Sequence, residues 1–257
     1  TIVSKNVLGR LPGAKHPNET VIYSAHWDHL GIGQPDARGD RIYNGARDNA
    51  SGTAMLIELG RAYAKAPRTD RSVVFLAVTA EEKGLLGSEY YAANPVYPLA
   101  TTAGVINMDS TIGAAAAKDF TISGVAKLQL LDMLVAEGGK LNRTYTPDPR
   151  TEAGSFYRSD HFSFAKQGVP AISFQPGRDL VNGGAARGKE LADAYTRDKY
   201  HQPADEFDPA WNTSSVQGDM TLLYDLGRDL ADGRMWPEWA ADSEFAPLRK
   251  ATAQARK

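Results

Sequence analysis

Seven ionisable side chains in this chain fall where they could act together on a metal and a water molecule. Glu81 and Glu82 are adjacent and follow an apolar run, Val73 to Val78. Neighbouring residues at a strand end point in different directions, so one carboxylate can face a cation while the other handles a proton. His26 and Asp28 close a second β-forming run, Thr20 to His26. Asp109 ends a third, which starts at Gly104. Asp48 precedes a helical pattern, and His201 lies in Tyr200-His201-Gln202-Pro203-Ala204-Asp205-Glu206. Two histidines and three carboxylates are what a two-zinc site needs when thiolates are absent. One carboxylate bridges the ions, each ion takes one further carboxylate and one histidine, and open positions remain. An acid left unligated can then serve as general base. Each residue also has a plain alternative: a solvated Glu-Glu turn, a helix cap at Asp48, a turn cap at Asp109, a packed histidine. Their coincidence at strand and loop ends of one α/β pattern points to a common site.

Composition narrows the chemistry. The 257 residues include no cysteine, so disulfides, thiolate ligands and cysteine nucleophiles are excluded. Any metal must sit on histidine and carboxylate, which suits Zn²⁺, Mn²⁺ or Co²⁺. Only five histidines are present: His16, His26, His29, His161 and His201. With 29 basic and 31 acidic residues the formal net charge is −2, which gives no electrostatic case for nucleic acid or an anionic membrane as partner. No apolar run approaches the roughly 20 residues of a membrane span. The chain begins with Thr1 rather than Met, an expected sign that a leader or upstream domain has been removed. The absence of cysteine is compatible with an exported protein, periplasmic or secreted.

The pattern predicts elements that would position these groups. Asn6 to Pro12 and Thr20 to His26 read as strands, followed by a Gly- and Pro-containing loop from Gly31 to Gly45. A helix follows Asp48, with Ala54, Leu56, Ile57, Leu59 and Gly60 on its packed face and Pro67 past its end. Then come the strand Val73 to Val78, a helix from Ser88 to Ala93 stopped by Pro95, the strand Gly104 to Asp109, a strand from Phe120 to Ser123 and a helix from Leu128 to Ala136. Ser159-Asp160-His161 opens a short helix ending at Gly168, with Ser159 or Asp160 as its N-cap. Val169 to Phe174 reads as a buried strand, Arg178 to Asp198 as a surface loop, and Asn212 to Leu230 as the last clear helix. The tail after Trp239 is weakly patterned, and residues 250–257 are expected to fray. Strands alternating with helices imply a three-layer α/β/α fold around a mixed, mostly parallel sheet, forming one domain over residues 1–257.

Six segments, in order, resemble the zinc-dependent exopeptidases of peptidase family M28. They are Ser24-Ala25-His26-Trp27-Asp28-His29; Gly45-Ala46-Arg47-Asp48-Asn49-Ala50-Ser51-Gly52; Thr79-Ala80-Glu81-Glu82-Lys83-Gly84-Leu85-Leu86-Gly87-Ser88; Asn107-Met108-Asp109; Ser159-Asp160-His161 through Gly168-Val169-Pro170-Ala171; and Tyr200-His201-Gln202-Pro203-Ala204-Asp205. The resemblance covers roughly residues 6 to 230. It implies a zinc-exopeptidase-like (phosphorylase/hydrolase-like) fold, peptide substrates and two zinc ions per chain. Asp48 would bridge the ions, His26 and Asp109 would complete one position, and Glu82 and His201 the other. Glu81 would be the general base and acid, Asp28 would orient His26 by accepting its ring N–H, and the Tyr200 phenol would donate to the oxyanion. Asp160 and His161 would be structural or substrate-positioning residues, with His161 the rival to His201 as ligand. His16 and His29 would be structural or surface residues.

Arg47 departs from the family pattern, in which an acid often stands beside the bridging aspartate. A cation pointing at the metals would repel them, so Arg47 is expected to point away and pair with an acid or a substrate carboxylate. The family also leaves alternatives: a single-zinc glutaminyl-cyclase-like enzyme, a carboxypeptidase-like relative using a basic pocket (Arg47, Arg150, Arg158, Arg178 or Arg187), and a receptor-like module without catalysis. The substrate pocket is expected from loops such as Gly113 to Lys118 and Thr151 to Arg158, with Trp27, Phe156, Tyr157 and Phe162 as candidate lining.

Overall fold

The computed structural model describes residues 2–112 and 115–257. In chain order the elements are β1 (Val7–Leu11), β2 (His16–His26), β3 (Gly31–Ile32), β4 (Ile42–Tyr43), α1 (Ser51–Lys65), β5 (Arg71–Val78), α2 (Leu86–Ala93), β6 (Thr102–Met108), β7 (Asp119–Ile122), α3 (Gln129–Lys140), β8 (Thr144–Tyr145), α4 (His161–Ala165), β9 (Ala171–Pro176), α5 (Gly184–Asp198), α6 (Val216–Asp232) and α7 (Ala246–Ala251). Seven strands form one sheet in the order β1-β5-β2-β6-β9-β7-β8. β1 with β5 and β7 with β9 are antiparallel; the other pairs are parallel. The sheet is therefore mixed and mostly parallel. β3 and β4 form a separate two-stranded ribbon.

Alternation along the strands sends side chains to two apolar layers. Val21, Tyr23 and Ala25 of β2 pack with Leu56, Leu59, Leu134, Leu222 and Leu226 from α1, α3 and α6. Ile22 packs on the other face with Val74, Leu76, Tyr91 and Phe164, where α2 and α4 lie. The inner strands β5, β2 and β6 are buried on both faces, which is why they read as continuous runs of Val, Ile and Leu.

Two expectations are corrected. Residues 184–198, expected as a surface loop, form α5. Its sequence is rich in Ala and charge, and Arg187–Glu190 (2.6 Å) and Lys189–Asp193 (2.5 Å) pair at helical spacings. Gly188 is its one buried residue, so there is no broad apolar face to reveal it. The C-terminal tail, expected to fray, is tied down through α7. Arg249 is 1 % exposed and donates to the Thr102 carbonyl at 3.0 Å, while Arg256 donates to the Arg249 and Ala100 carbonyls at 2.7 and 3.3 Å. The Arg71 guanidinium lies 4.2 Å from the centre of the Trp236 ring and those of Arg249 and Arg256 lie 5.9 and 6.0 Å from it. Arginine side chains, together with Phe245 in the core, hold this segment.

Candidate metal centre

Three neighbouring strands deliver the chemistry at their C-terminal ends. β2 ends in His26, β5 runs into Glu81 and Glu82, and β6 runs into Asp109. After β2 the chain places β5 on one side and β6 on the other, so the crest of β2 is a topological switch point, where an open sheet leaves a crevice.

Asp48 arrives from the turn that opens α1. Its backbone N–H and that of Arg47 donate to the Asp205 carboxylate at 3.1–3.2 Å. Asn49 completes the turn: its Oδ1 accepts the Gly52 and Ser110 N–H groups, and its Nδ2 donates to the Met108 carbonyl. A Cβ on Gly52 would stand 2.3 Å from Asn49 Oδ1 and 2.4 Å from the Met108 carbonyl oxygen, so α1 can approach the end of β6 only with glycine there.

Around Asp48 the side chains form two half-sites. His26 Nε2 lies 3.2 Å from Asp48 Oδ1 and 3.5 Å from Asp109 Oδ1. His201 Nε2 lies 3.3 Å from Asp48 Oδ2 and 3.1 Å from Glu82 Oε2. Across the two half-sites, His26, Asp48 and Glu82 present donor atoms within 4.8 Å of one another. The chemistry of the donors fits a cation. His26 Nδ1 is 2.9 Å from the Asp28 carbonyl oxygen and donates to it, which leaves Nε2 as the ring atom that faces two carboxylates. That buried nitrogen has no hydrogen-bond partner among the described residues. Lone pairs converging on one point need a positive charge between them.

The same convergence shifts the titrations. Burial opposes charge on Asp48, yet His201 and His26 hold its carboxyl below the usual carboxylate range. Glu82 is brought to about 2 by His201 and His29 against burial. His201 rises to about 10 through its contacts with Asp48 and Glu82. Glu81 behaves oppositely: burial, then the Asp109 charge, pushes it up to about 9. Two adjacent glutamates thus have environments that separate their roles.

The Asp28 carboxylate is placed otherwise than the sequence suggested. The ring N–H of His26 goes to the Asp28 backbone carbonyl, whereas both carboxylate oxygens lie 2.8 Å from the Ala80 N–H and one accepts from Thr79 Oγ1 at 3.2 Å. Ala80 has φ 57°, the left-handed conformation that turns the chain into Glu81 and Glu82, so Asp28 braces that turn. His201 also has a positive φ, 56°. Tyr200 stacks on the His201 ring at 3.8 Å and is 40 % exposed.

Of the remaining expectations, neither Asp160 nor His161 makes a described contact with a ligand. Both are fully buried, and no hydrogen bond among the described residues reaches their polar side-chain atoms. Burial lifts Asp160 to about 7 and depresses His161 to about 3. His16 stays near the surface, 3.7 Å from Glu19. His29 is buried at the site, with Nδ1 2.7 Å from Glu82 Oε1 and its ring 5.6 Å from that of His201. Arg47 turns away from the carboxylates, its guanidinium 4.1 Å from the centre of the Tyr195 ring. Phe156 belongs to the core, stacked on Phe245, while Tyr157 and Trp27 are exposed. Within the expected pocket loops, Gly113 and Ala114 lie outside the described residues.

Sequence reasoning missed the partners that fix the ligands. Ser159 Oγ donates to Asp109 Oδ2 at 2.6 Å, leaving Oδ1 to face His26. Ser159 itself accepts from Asn107 Nδ2, whose Oδ1 accepts from Ser24. The available signal for Asp205 was its fixed distance from His201 across Pro203; Ser159 and Asn107 lie inside recognised segments but carry no charge to draw notice.

Comparison with known proteins agrees with this geometry. The sequence profile of Peptidase family M28 matches residues 6–224. A probable zinc metalloprotease of Pyrenophora teres f. teres is 34 % identical over 130 residues, covering 49 % of this chain and 26 % of that protein. Aminopeptidase YwaD of Bacillus subtilis is 36 % identical over 90 residues, covering 34 % of this chain and 17 % of its own length. Among solved structures, an aminopeptidase from Aneurinibacillus sp. strain AM-1 superposes with TM-score 0.64 at 24 % identity, over 88 % of this chain and 48 % of that one. An Acidobacteriales bacterium glutaminyl cyclase superposes at 0.61 and 20 %, over 88 % and 73 %; these likenesses concern the fold. The chain thus spans about a quarter of the zinc metalloprotease it matches and about half of the aminopeptidase structure. With the profile running through all three strand tips and the loops that carry Asp48 and His201, this chain belongs to peptidase family M28.

Proposed function

We propose that the chain is a zinc-dependent exopeptidase that removes N-terminal residues from peptides, with two zinc ions held by His26, Asp48, Glu82, Asp109 and His201. The observation that carries this reading is Asp48, whose two oxygens face two different histidines, so that one carboxylate serves two cation positions. Asp109 joins it on the His26 side and Glu82 on the His201 side. Zinc bound there would supply Lewis acidity, lowering the pKa of water and polarising a peptide carbonyl. Glu81 makes no ion pair among the described residues and is left to handle protons: with dications bound beside it, their charge would oppose the burial and the Asp109 charge that keep it protonated, so that its carboxylate takes a proton from the attacking water and returns it to the leaving amine. The Tyr200 hydroxyl, on the ring stacked against His201, donates to the developing oxyanion. The aminopeptidase direction is supported by the names of relatives and fold neighbours.

The test is zinc per chain by elemental analysis, run with hydrolysis of a panel of aminoacyl-anilides with and without chelator. Two zincs and chelator-sensitive release are expected. One zinc and no release would favour glutaminyl-cyclase-like chemistry, and a folded protein with neither would leave only a binding module.

A further inference from the structure

A cavity of about 290 Å³ has Arg47, Ile112, Leu191, Tyr195, Lys199 and Trp211 in its walls. Three of these residues neighbour proposed ligands in sequence: Arg47 precedes Asp48, Ile112 follows Asp109 by three, and Lys199 precedes His201 by two. An aromatic path joins the two places. The Arg47 guanidinium lies over Tyr195, the Tyr195 and Tyr200 rings are 6.2 Å apart, and Tyr200 stacks on His201 at 3.8 Å.

The charge of this cavity is unbalanced. Arg47 uses its backbone N–H for Asp205, but its guanidinium has no carboxylate within 4.0 Å among the described residues, and its buried Nε has no hydrogen-bond partner. The acid on the same wall, Asp198, is taken by both forks of Arg197 at 2.8 and 2.6 Å. Lys199 adds a second cation, Ile112, Leu191 and Trp211 supply apolar surface, and Asn212 adds an amide. A desolvated guanidinium without an acid is unfavourable, and its planar fork matches a carboxylate. A carboxylate is therefore the complementary partner for this cavity, and the aromatic path from His201 to Arg47 makes a peptide held at the centre its candidate source.

We infer that this cavity receives the C-terminal carboxylate and last side chain of short peptides, which makes di- and tripeptide free acids the preferred substrates. The inference rests on the exopeptidase reading, and the experiment separates the two. On the zinc-loaded protein, kcat/KM is measured for Leu-Phe, for Leu-Phe-amide and for leucine anilide. The free acid should exceed the amide by about 10- to 100-fold, the range of a charge-assisted hydrogen bond. Arg47→Met should bring this ratio close to one, and Arg47→Lys should retain part of it; an internal ratio is insensitive to partial loss of fold or zinc. A wild-type ratio near one with anilide turnover intact, or a ratio unchanged in Arg47→Met, would overturn the inference while leaving the exopeptidase standing. Failure of all three substrates would remove the exopeptidase and this inference together.

Discussion

Several side chains at the candidate centre turn one polar end to the protein and the other into the crevice. Asp109 gives Oδ2 to Ser159 and Oδ1 to the His26 side; Glu82 gives Oε1 to His29 and Oε2 to the His201 side; His26 gives Nδ1 to a carbonyl and keeps Nε2 free. Such division fixes each donor's direction before an ion arrives. Glu81 is the exception: no described hydrogen bond or ion pair fixes its carboxylate, and burial beside Asp109 raises its pKa to about 9. A group so placed can carry a proton without being needed to hold a cation. Glu81→Gln keeps the shape and removes the basicity, so turnover should fall by about 10²–10⁴-fold with zinc per chain unchanged by elemental analysis. Retained turnover would eliminate Glu81 as the base, and lost zinc would make it a ligand. At this scale the charged groups were legible in the sequence because carboxylate and imidazole announce themselves. Ser159 and Asn107 were not, since a hydroxyl or an amide gains meaning only through what it touches.

Elements convert sequence distance into proximity, and their legibility followed how each is held. The inner strands were visible as β-branched runs because burial on both faces leaves no room for polar alternation. By contrast α5, with one buried residue, and the tail, held by Arg249 and Arg256, lack the periodicity that pattern reading requires. The turn carrying Asp48 depends on a contact of the same hidden kind. Asp205, fully buried and 157 residues away, accepts the backbone N–H groups of both Arg47 and Asp48 and the Tyr195 hydroxyl at 3.3 Å. It links the segment bearing His201 to the segment bearing Asp48, so both half-sites should loosen when it is removed. Asp205→Ala leaves two buried N–H groups unmet, a loss of about 2–4 kcal/mol. Urea denaturation of the metal-free protein checks that loss, and chelator competition should register weaker zinc binding. Full zinc affinity at reduced stability would confine Asp205 to the fold.

Across the whole molecule the buried ionisable groups act against one another as pH changes. Asp219, fully buried 2.7 Å from Arg143, is nevertheless lifted by burial to about 6. Between its ordinary 3.8 and that value the native state binds the extra proton, so this group's contribution is lost as pH rises. His161 has the opposite sign. Burial alone depresses it from 6.5 to about 3, so between those limits the unfolded chain binds a proton that the native chain refuses. Its contribution is present in full above 6.5 and is lost as pH falls toward 3. Both ring nitrogens are buried without partners among the described residues, and the ring meets Phe156 edge to face with centres 4.7 Å apart. A phenyl ring can take that place without orphaned polar atoms, so His161→Phe should be no less stable at pH 7. Between pH 7 and pH 5 the linkage through His161 amounts to about 2 kcal/mol. Urea titrations of wild type and His161→Phe at both pH values isolate it, because the Asp219 contribution is common to the two proteins. Wild type should lose about 2 kcal/mol more than the variant on acidification. Equal losses would mean that His161 takes up its proton in the native state, and that this face of the core admits a charge.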